Sequence, residues 1–313
     1  MRPGLLAHLP LYRKFLVATF LIMLGAITFS MVASLLVEAI WGLNAMQLNP
    51  SLGPNHVAAM KLLVFVGTGL GSFLIPALLG SFLLFESPKA ALGLHMPLGG
   101  SASILLAVTA LVFSLPVINF MVMLNEYLVL PSFLSDVELW MRETEKQLEV
   151  LTEAMLVMRQ PSDLLLNLAV IALVPAVAEE LLFRGLIQNL FSKLTTNIHV
   201  AIWITAALFS AIHMQFYGFI PRMVLGAAFG YMLFWSGSIW LPIAAHFANN
   251  GFAVLITYLN QQAASPLFDE HEIGKGPNDI LLLIISIGVV GFCMWRIRKK
   301  GLHEAQLDSN SGH

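Results

Sequence analysis

The sequence predicts an all-α membrane protein that crosses the bilayer about eight times. Of its 313 residues, 58% are hydrophobic and only 11% are charged, and the mean hydropathy is +0.81. Its long apolar runs come close to the ~20 residues that a helix needs to span a bilayer core of ~30 Å. Such a composition is typical of a polytopic membrane protein and not of a large soluble domain.

Eight apolar runs give this count. In chain order they cover residues 15–39, 57–85, 101–130, 162–191, 198–216, 222–235, 239–259 and 280–295. The sixth run is short for a full crossing, but the turn Ser236-Gly237-Ser238 favours two separate helices over one re-entrant pair. We therefore divide the chain into an N-terminal tail, three helices with an outer loop, a core of four helices, and a C-terminal segment with the last helix. These parts are residues 1–14, 15–161, 162–259 and 260–313.

The distribution of charge predicts the orientation of the chain. Basic residues precede the first run and follow the last one, whereas the long loops 131–161 and 260–279 are rich in acids. Because Lys and Arg are retained on the cytoplasmic side, both termini are expected in the cytoplasm and both loops outside. We expect an integral membrane protein with a retained first span, in the plasma (inner) membrane if the source is bacterial.

The first acidic loop contains a further helical pattern. Over residues 136–159, apolar side chains recur at helical spacing among charged ones. This pattern predicts an amphipathic helix that lies on the bilayer surface or caps the helical bundle.

Composition excludes a nucleic-acid partner and any site that needs two or more cysteines. The net charge is −2 and the basic residues do not form a patch with aromatic side chains, so no nucleic-acid partner is expected. Cys293 is the single cysteine, which excludes an intramolecular disulfide and a metal site built from cysteines. The sequence gives no indication of the oligomeric state.

Three charges lie in the middle of the fourth apolar run, within the stretch Val177–Gly185. An ionised group at that depth costs a few kcal/mol, so it is either paired or functional. Glu180 and Arg184 are four residues apart with the acid first, the favoured order for an ion pair, and we interpret them as a structural pair. Glu179 lies about 100° round the helix and has no partner in its own helix.

Polar side chains in later runs are candidates for that partner. His213 follows Phe209 by one helical turn, and His246 precedes Asn250 by one turn. At 1.5 Å per residue, Glu179 and these three polar groups lie ~10 to ~21 Å from the cytoplasmic ends of their helices. Any one of them could be a simple hydrogen bond between helices. Their combination in one layer of the membrane predicts an active site.

Three motifs on successive helices carry a resemblance to a known family. They are Glu179-Glu180-x-x-x-Arg184, Phe209-x-x-x-His213 and His246-x-x-x-Asn250. In this order they resemble the CPBP intramembrane endopeptidases, which include CAAX prenyl proteases and bacteriocin-processing enzymes. The resemblance covers residues 162–259 and implies an eight-helix membrane fold. It also implies that Glu179 activates water, that His213 assists it, and that His246 and Asn250 hold the oxyanion.

The residues themselves fit such chemistry, because peptide hydrolysis requires a base for water and hydrogen-bond donors for the developing oxyanion. The expected substrate is a membrane-anchored protein or peptide, prenylated or not. No cofactor is favoured. Zinc bound by Glu179, His213 and His246 is an alternative, although the H-E-x-x-H signature is absent. A proton-coupled transporter that uses these three side chains as a relay is a second alternative, and an inactive scaffold is a third.

Overall fold

The structure is a computed structural model that describes residues 3–127, 130–263, 273, 276 and 279–311. All regular secondary structure in these residues is helical, which confirms the predicted all-α class. Most of the acidic loop predicted at 260–279 falls outside the described residues, so its outer position stays a prediction.

The described part of the chain contains ten helices longer than one turn. They are α1 (Leu11–Trp41), α2 (Pro54–Leu84), α3 (Gly100–Val112), α4 (Leu115–Glu126), α5 (Ser135–Met155), α6 (Pro161–Thr195), α7 (Ile198–Ala211), α8 (Phe219–Ser236), α9 (Trp240–Gln262) and α10 (Ile280–Ser311). Each predicted apolar run falls on one of these helices, except that the third run is divided between α3 and α4. The amphipathic pattern at 136–159 corresponds to α5.

The predicted number of eight crossings is not confirmed. Among the described residues, α1, α2, α6, α8 and α10 are long and apolar enough to cross a membrane. The pair α3 and α4, bent by 44°, makes a sixth span if it counts as one. With 14 residues, α7 extends about 21 Å, less than a bilayer core of ~30 Å. Polar residues within α9 lower its hydropathy, and several of them are the predicted site residues.

Glycine residues allow α1 and α2 to approach each other closely. A Cβ atom added at Gly25 would lie 2.1 Å from the carbonyl oxygen of Gly71, and one added at Gly71 would lie 2.3 Å from Cβ of Phe29. Small residues of this kind let the backbones of membrane helices touch. The outer face of α1 exposes large apolar side chains such as Phe20 and Ile27, as expected for a surface in contact with lipid.

Helix α6 lies at the centre of the bundle, where it contacts α2, α7, α8 and α9. Its backbone is π-helical over Leu168–Leu173 and again over Leu181–Ile187, on both sides of the α-helical segment Val174–Glu180. Interruptions of this kind are frequent at functional sites, because they change the direction in which side chains point. Glu179 lies near the middle of the helix and at the end of this α-helical segment.

Candidate active site

A cavity of about 600 Å³ opens beside the central helix, and we call it the site cavity. Apolar residues of α2, α4, α5, α6, α8 and α9 form most of its wall. Its polar lining residues are Thr152, Glu179, His213, Gln215, Arg222, His246, Asn249 and Asn250. The structure therefore brings Glu179, His213, His246 and Asn250 together around one cavity. Glu180 and Arg184 do not line it.

Glu180 connects two elements of the site from behind the cavity wall. The residue is fully buried, and its Oε1 accepts hydrogen bonds from Arg184 Nη1 at 3.0 Å and from His246 Nδ1 at 2.9 Å. The bond to Arg184 stays within α6, whereas the bond to His246 joins α6 to α9. The second contact was not predicted, because His246 is 66 residues away in the sequence and helical spacing relates only residues of one helix.

Arg184 is held by neighbours on three helices. Besides its ion pair with Glu180, its Nη2 donates to the carbonyl oxygen of Gly226 at 3.0 Å. Its guanidinium carbon lies 4.4 Å from the ring centroid of Phe209 and 5.4 Å from that of Phe229. Rings at this distance attract a cation through their electron-rich faces. Gly226 permits the approach, because a Cβ atom there would lie 3.2 Å from Arg184 Nη2.

The imidazole ring of His246 is fixed in orientation by two neighbours. Its Nδ1 donates to Glu180, and its ring stacks on Phe229 with a centroid distance of 5.3 Å and an interplanar angle of 15°. A neutral ring that donates from Nδ1 carries a lone pair on Nε2, whereas an imidazolium donates from both nitrogens. Nε2 lies 4.0 Å from Oε2 of Glu179.

Glu179 is the acid of the site cavity. It is 8% exposed, yet its carboxylate makes no hydrogen bond within the part of the chain that the structure describes. The nearest cationic or imidazole nitrogen in that part is His246 Nε2 at 4.0 Å, which is beyond hydrogen-bond distance. Buried carboxylates are normally paired or hydrogen-bonded. Glu179 is therefore a buried acid that is available to a molecule in the cavity.

His213 follows the last turn of α7 and faces the cavity with a defined tautomer. Its Nδ1 donates to the carbonyl oxygen of Phe209 at 2.8 Å. Because a carbonyl oxygen only accepts, the proton of the neutral ring is on Nδ1, and Nε2 is an acceptor. The Phe209 ring packs edge-on against both His213 and His246, with centroid distances of 5.0 and 6.1 Å. Phe209 thus positions one histidine with its backbone and both with its ring.

Asn250 is oriented by one neighbour on each side. Its Nδ2 donates to the carbonyl oxygen of Ile171 at 3.2 Å, within the first π-helical stretch of α6. Its Oδ1 accepts from Asn249 Nδ2 at 3.1 Å. Since an amide nitrogen carries two hydrogens, one N–H of Asn250 remains for a ligand.

Arg222 is a polar lining residue that the sequence did not single out. It lies in the first turn of α8, and its Nη2 donates to Oε1 of Gln215. The signal in the sequence was a lone cation at the start of the sixth apolar run, 222–235.

The three predicted zinc ligands do not form a metal site in this arrangement. Among the described residues, no three His, Cys, Asp or Glu side chains are placed to hold a metal ion. Glu179, His213 and His246 share the cavity, and Nδ1 of each histidine is engaged inside the protein. The favoured reaction without a cofactor and the zinc-dependent alternative both stay predictions.

Comparisons with known proteins find relatives of the segment that contains these residues. Residues 161–252 match the family model described as "Type II CAAX prenyl endopeptidase Rce1-like". The uncharacterized protein YpbD of Bacillus subtilis (strain 168) is 29% identical over 106 residues, which cover 32% of this chain and 50% of YpbD. The chain thus spans about half the length of this curated relative. No solved structure gives a significant match.

The matched segment contains all three motifs and every polar lining residue of the site cavity except Thr152, which lies on α5. The resemblance predicted from the motifs is therefore confirmed. Residues 161–252 of this integral membrane protein are thus similar to the Rce1-like type II CAAX prenyl endopeptidases.

Proposed function

We propose that the protein is an intramembrane endopeptidase that hydrolyses a peptide bond in a membrane-anchored protein or peptide. One observation carries this proposal: the carboxylate of Glu179, which makes no hydrogen bond within the described residues, faces a cavity shared with His213, His246 and Asn250. Ionisable groups at membrane depth mark functional sites by default, because burying them is costly. The similarity of residues 161–252 to an endopeptidase family supports the same reaction.

In the proposed reaction, Glu179 is the base that activates water. The carboxylate takes a proton from water while the water oxygen bonds to the carbonyl carbon of the substrate. His213 Nε2 accepts a hydrogen bond from the same water and directs its lone pair at that carbon. Glu179 then returns the proton to the leaving nitrogen as the C–N bond breaks. The products are a carboxylic acid and an amine.

The oxyanion that forms in this step is held by Asn250 and His246. Asn250 contributes the N–H that Ile171 does not use. His246 contributes an Nε2–H when both ring nitrogens carry a proton, while Glu180 holds Nδ1 and fixes the direction of the ring. Donors fixed in advance at a developing negative charge provide a large share of enzymatic rate enhancement. Glu180 is thus a positioning residue and not a catalytic one.

The apolar lining of the site cavity favours an apolar substrate segment. Residues of α5, among them Leu148, Leu151 and Met155, line it on one side, and apolar residues of α2 and α4 line it elsewhere. An apolar wall accommodates a lipid chain or a hydrophobic side chain, while the polar groups act on the backbone.

The membrane orientation is part of the proposal. We place both termini in the cytoplasm of a cell whose plasma membrane contains the protein. The basic residues between positions 296 and 300 of α10 and those near the start of α1 support this placement. Labelling of single cysteines, introduced at each terminus after replacing Cys293, tests it: labelling from the cytoplasmic side only is expected.

A cleavage assay in liposomes tests the proposed reaction. Purified protein is incubated with a farnesylated peptide and with a peptide anchored by a hydrophobic helix, each with and without EDTA. Cleavage of at least one peptide by the wild type, and none by a folded Glu179→Gln variant, is expected. Activity lost with EDTA and restored by Zn²⁺ would establish the zinc-dependent alternative. Proton flux without cleavage of either peptide would establish the transporter instead.

A further inference from the structure

A second charged group of the site cavity has no role in the reaction described above. Arg222 lines the cavity together with Glu179, and the only hydrogen-bond partner of its side chain within the described residues is Gln215. Nη1 of Arg222 is buried and has no hydrogen-bond partner among those residues. An Arg side chain presents five N–H donors, so most of its donor capacity remains open.

The charge of Arg222 is also without a close counter-ion. No carboxylate of the described residues lies within 4.0 Å of its guanidinium, although Glu179 and Glu145 interact with it over longer distances. Glu145 is engaged elsewhere, because its Oε2 accepts from the backbone N–H of Tyr217 at 3.1 Å. Arg222 is partly buried, and a cation that is removed from water is normally paired because leaving it unpaired is costly.

Arg184 shows what a paired arginine looks like in the same protein. Its guanidinium contacts a carboxylate, a backbone carbonyl and two aromatic rings, and it does not line the cavity. Arg222 has an amide in place of the carboxylate and borders the cavity. The difference indicates that the counter-ion of Arg222 comes from a ligand.

The proposed reaction defines which anion can reach this position. The guanidinium fork matches a carboxylate in two parallel hydrogen bonds, and Arg is the preferred residue for such recognition. A CAAX motif is the last four residues of a protein, so a substrate of this type carries its terminal carboxylate close to the bond that is cleaved. An acidic side chain near that bond offers the same chemical group.

We propose that Arg222, with Gln215 beside it, forms a subsite for a carboxylate of the substrate and so selects peptides with an anionic end. This inference rests on the proposed endopeptidase function. The Gln215 side chain fixes the guanidinium, and the remaining N–H groups bind the carboxylate while Glu179 and Asn250 act on the peptide bond.

The experiment compares matched peptides in the liposome cleavage assay. In the first pair, one anchored peptide is prepared with a free C-terminal carboxylate and with a C-terminal amide. In the second pair, both peptides are C-terminal amides, and the last residue is Glu in one and Gln in the other. A charge-assisted hydrogen bond contributes about a 10- to 100-fold preference, so kcat/KM of the wild type should favour the acidic member of one pair by that factor. The pair that shows the preference identifies the carboxylate, terminal or side-chain.

Variants separate recognition from a merely structural role. Arg222→Gln should reduce the acid-to-neutral ratio of that pair to about one, and Arg222→Lys, which retains the charge, should restore part of it. Arg159→Gln removes the same charge from an exposed position outside the cavity and should leave the ratio unchanged. Thermal unfolding of each variant shows whether it is folded, and the Lys variant provides the test if the Gln variant is not.

Two results would overturn this subsite. One is a wild-type enzyme that cleaves both members of both pairs equally well. The other is a folded Arg222→Gln variant that keeps the wild-type ratio, whatever its overall activity. By contrast, a wild type that cleaves no peptide at all contradicts the endopeptidase proposal itself, so the two failures are distinguishable.

Discussion

Glu179 and Glu180 are neighbours in the chain with opposite environments. Glu180 is inaccessible to solvent and binds Arg184 and His246, whereas Glu179 borders the site cavity without a hydrogen bond in the described part of the chain. A turn of about 100° per residue is enough to place one side chain among helices and the next one in a cavity. Two identical carboxylates thereby acquire separate roles, one that holds the helices together and one that acts on water.

The largest effect on stability is expected for Glu180→Gln. The change leaves the buried guanidinium of Arg184 without its counter-ion and weakens the link to His246. Removing one partner of a buried pair costs about 3–5 kcal/mol in the free energy of unfolding. SDS-induced unfolding of the purified protein measures this loss.

Glu38→Gln is the matched control for that substitution, because Glu38 is an exposed acid on α1. Its effect should stay within about 0.5 kcal/mol. Equal unfolding curves for Glu180→Gln and Glu38→Gln would break the comparison, because Glu180 would then have no structural role.

The next largest effect is on catalysis, because Asn250→Ala removes a donor to the oxyanion in the site cavity. Loss of one such donor typically lowers kcat about 10²- to 10³-fold. Asn249→Ala removes the hydrogen bond to Asn250 Oδ1 and should lower kcat at most about tenfold. Cleavage rates at saturating peptide measure both, and a larger loss for Asn249→Ala would remove Asn250 from its assigned role.

A smaller effect, on the stability of the protein, is expected for Gly226→Ala. The added Cβ would lie 3.2 Å from Arg184 Nη2 and 3.2 Å from Cδ1 of Phe209, so the environment of the Glu180 pair must shift. Overpacking of this kind costs about 1–3 kcal/mol. Gly288→Ala on α10 is the control, because a Cβ there meets no atom within 4 Å. Equal melting temperatures for the two variants would show that the packing around Arg184 is loose.

The sequence was sufficient to predict most of the helices and four of the polar residues that line the cavity. Helical spacing along one helix relates Glu180 to Arg184 and His246 to Asn250, and both relations depend on local geometry alone. The approximate depth of each polar group placed them in one layer. These predictions hold because the membrane restricts both the direction and the length of its helices.

Other features depend on how the helices are rotated against one another, which spacing does not define. The contact of His246 with Glu180, the use of the Ile171 carbonyl by Asn250 and the position of Arg222 on the cavity are of this kind. They are set by packing between α6, α8 and α9 and by the π-helical turns of α6. The number of crossings stays unconfirmed for a related reason, because α7, with 14 residues, is shorter than its apolar run.

The most direct test of the account is a side-by-side measurement of Glu179→Gln and the wild type. Both proteins are purified in parallel, and thermal unfolding and cleavage of an anchored peptide are measured on the same samples. We expect a melting temperature close to that of the wild type together with a loss of cleavage of about 10²- to 10⁴-fold, since only the proton acceptor for water is removed. A folded Glu179→Gln protein with normal cleavage would contradict the assignment of Glu179 as the catalytic base.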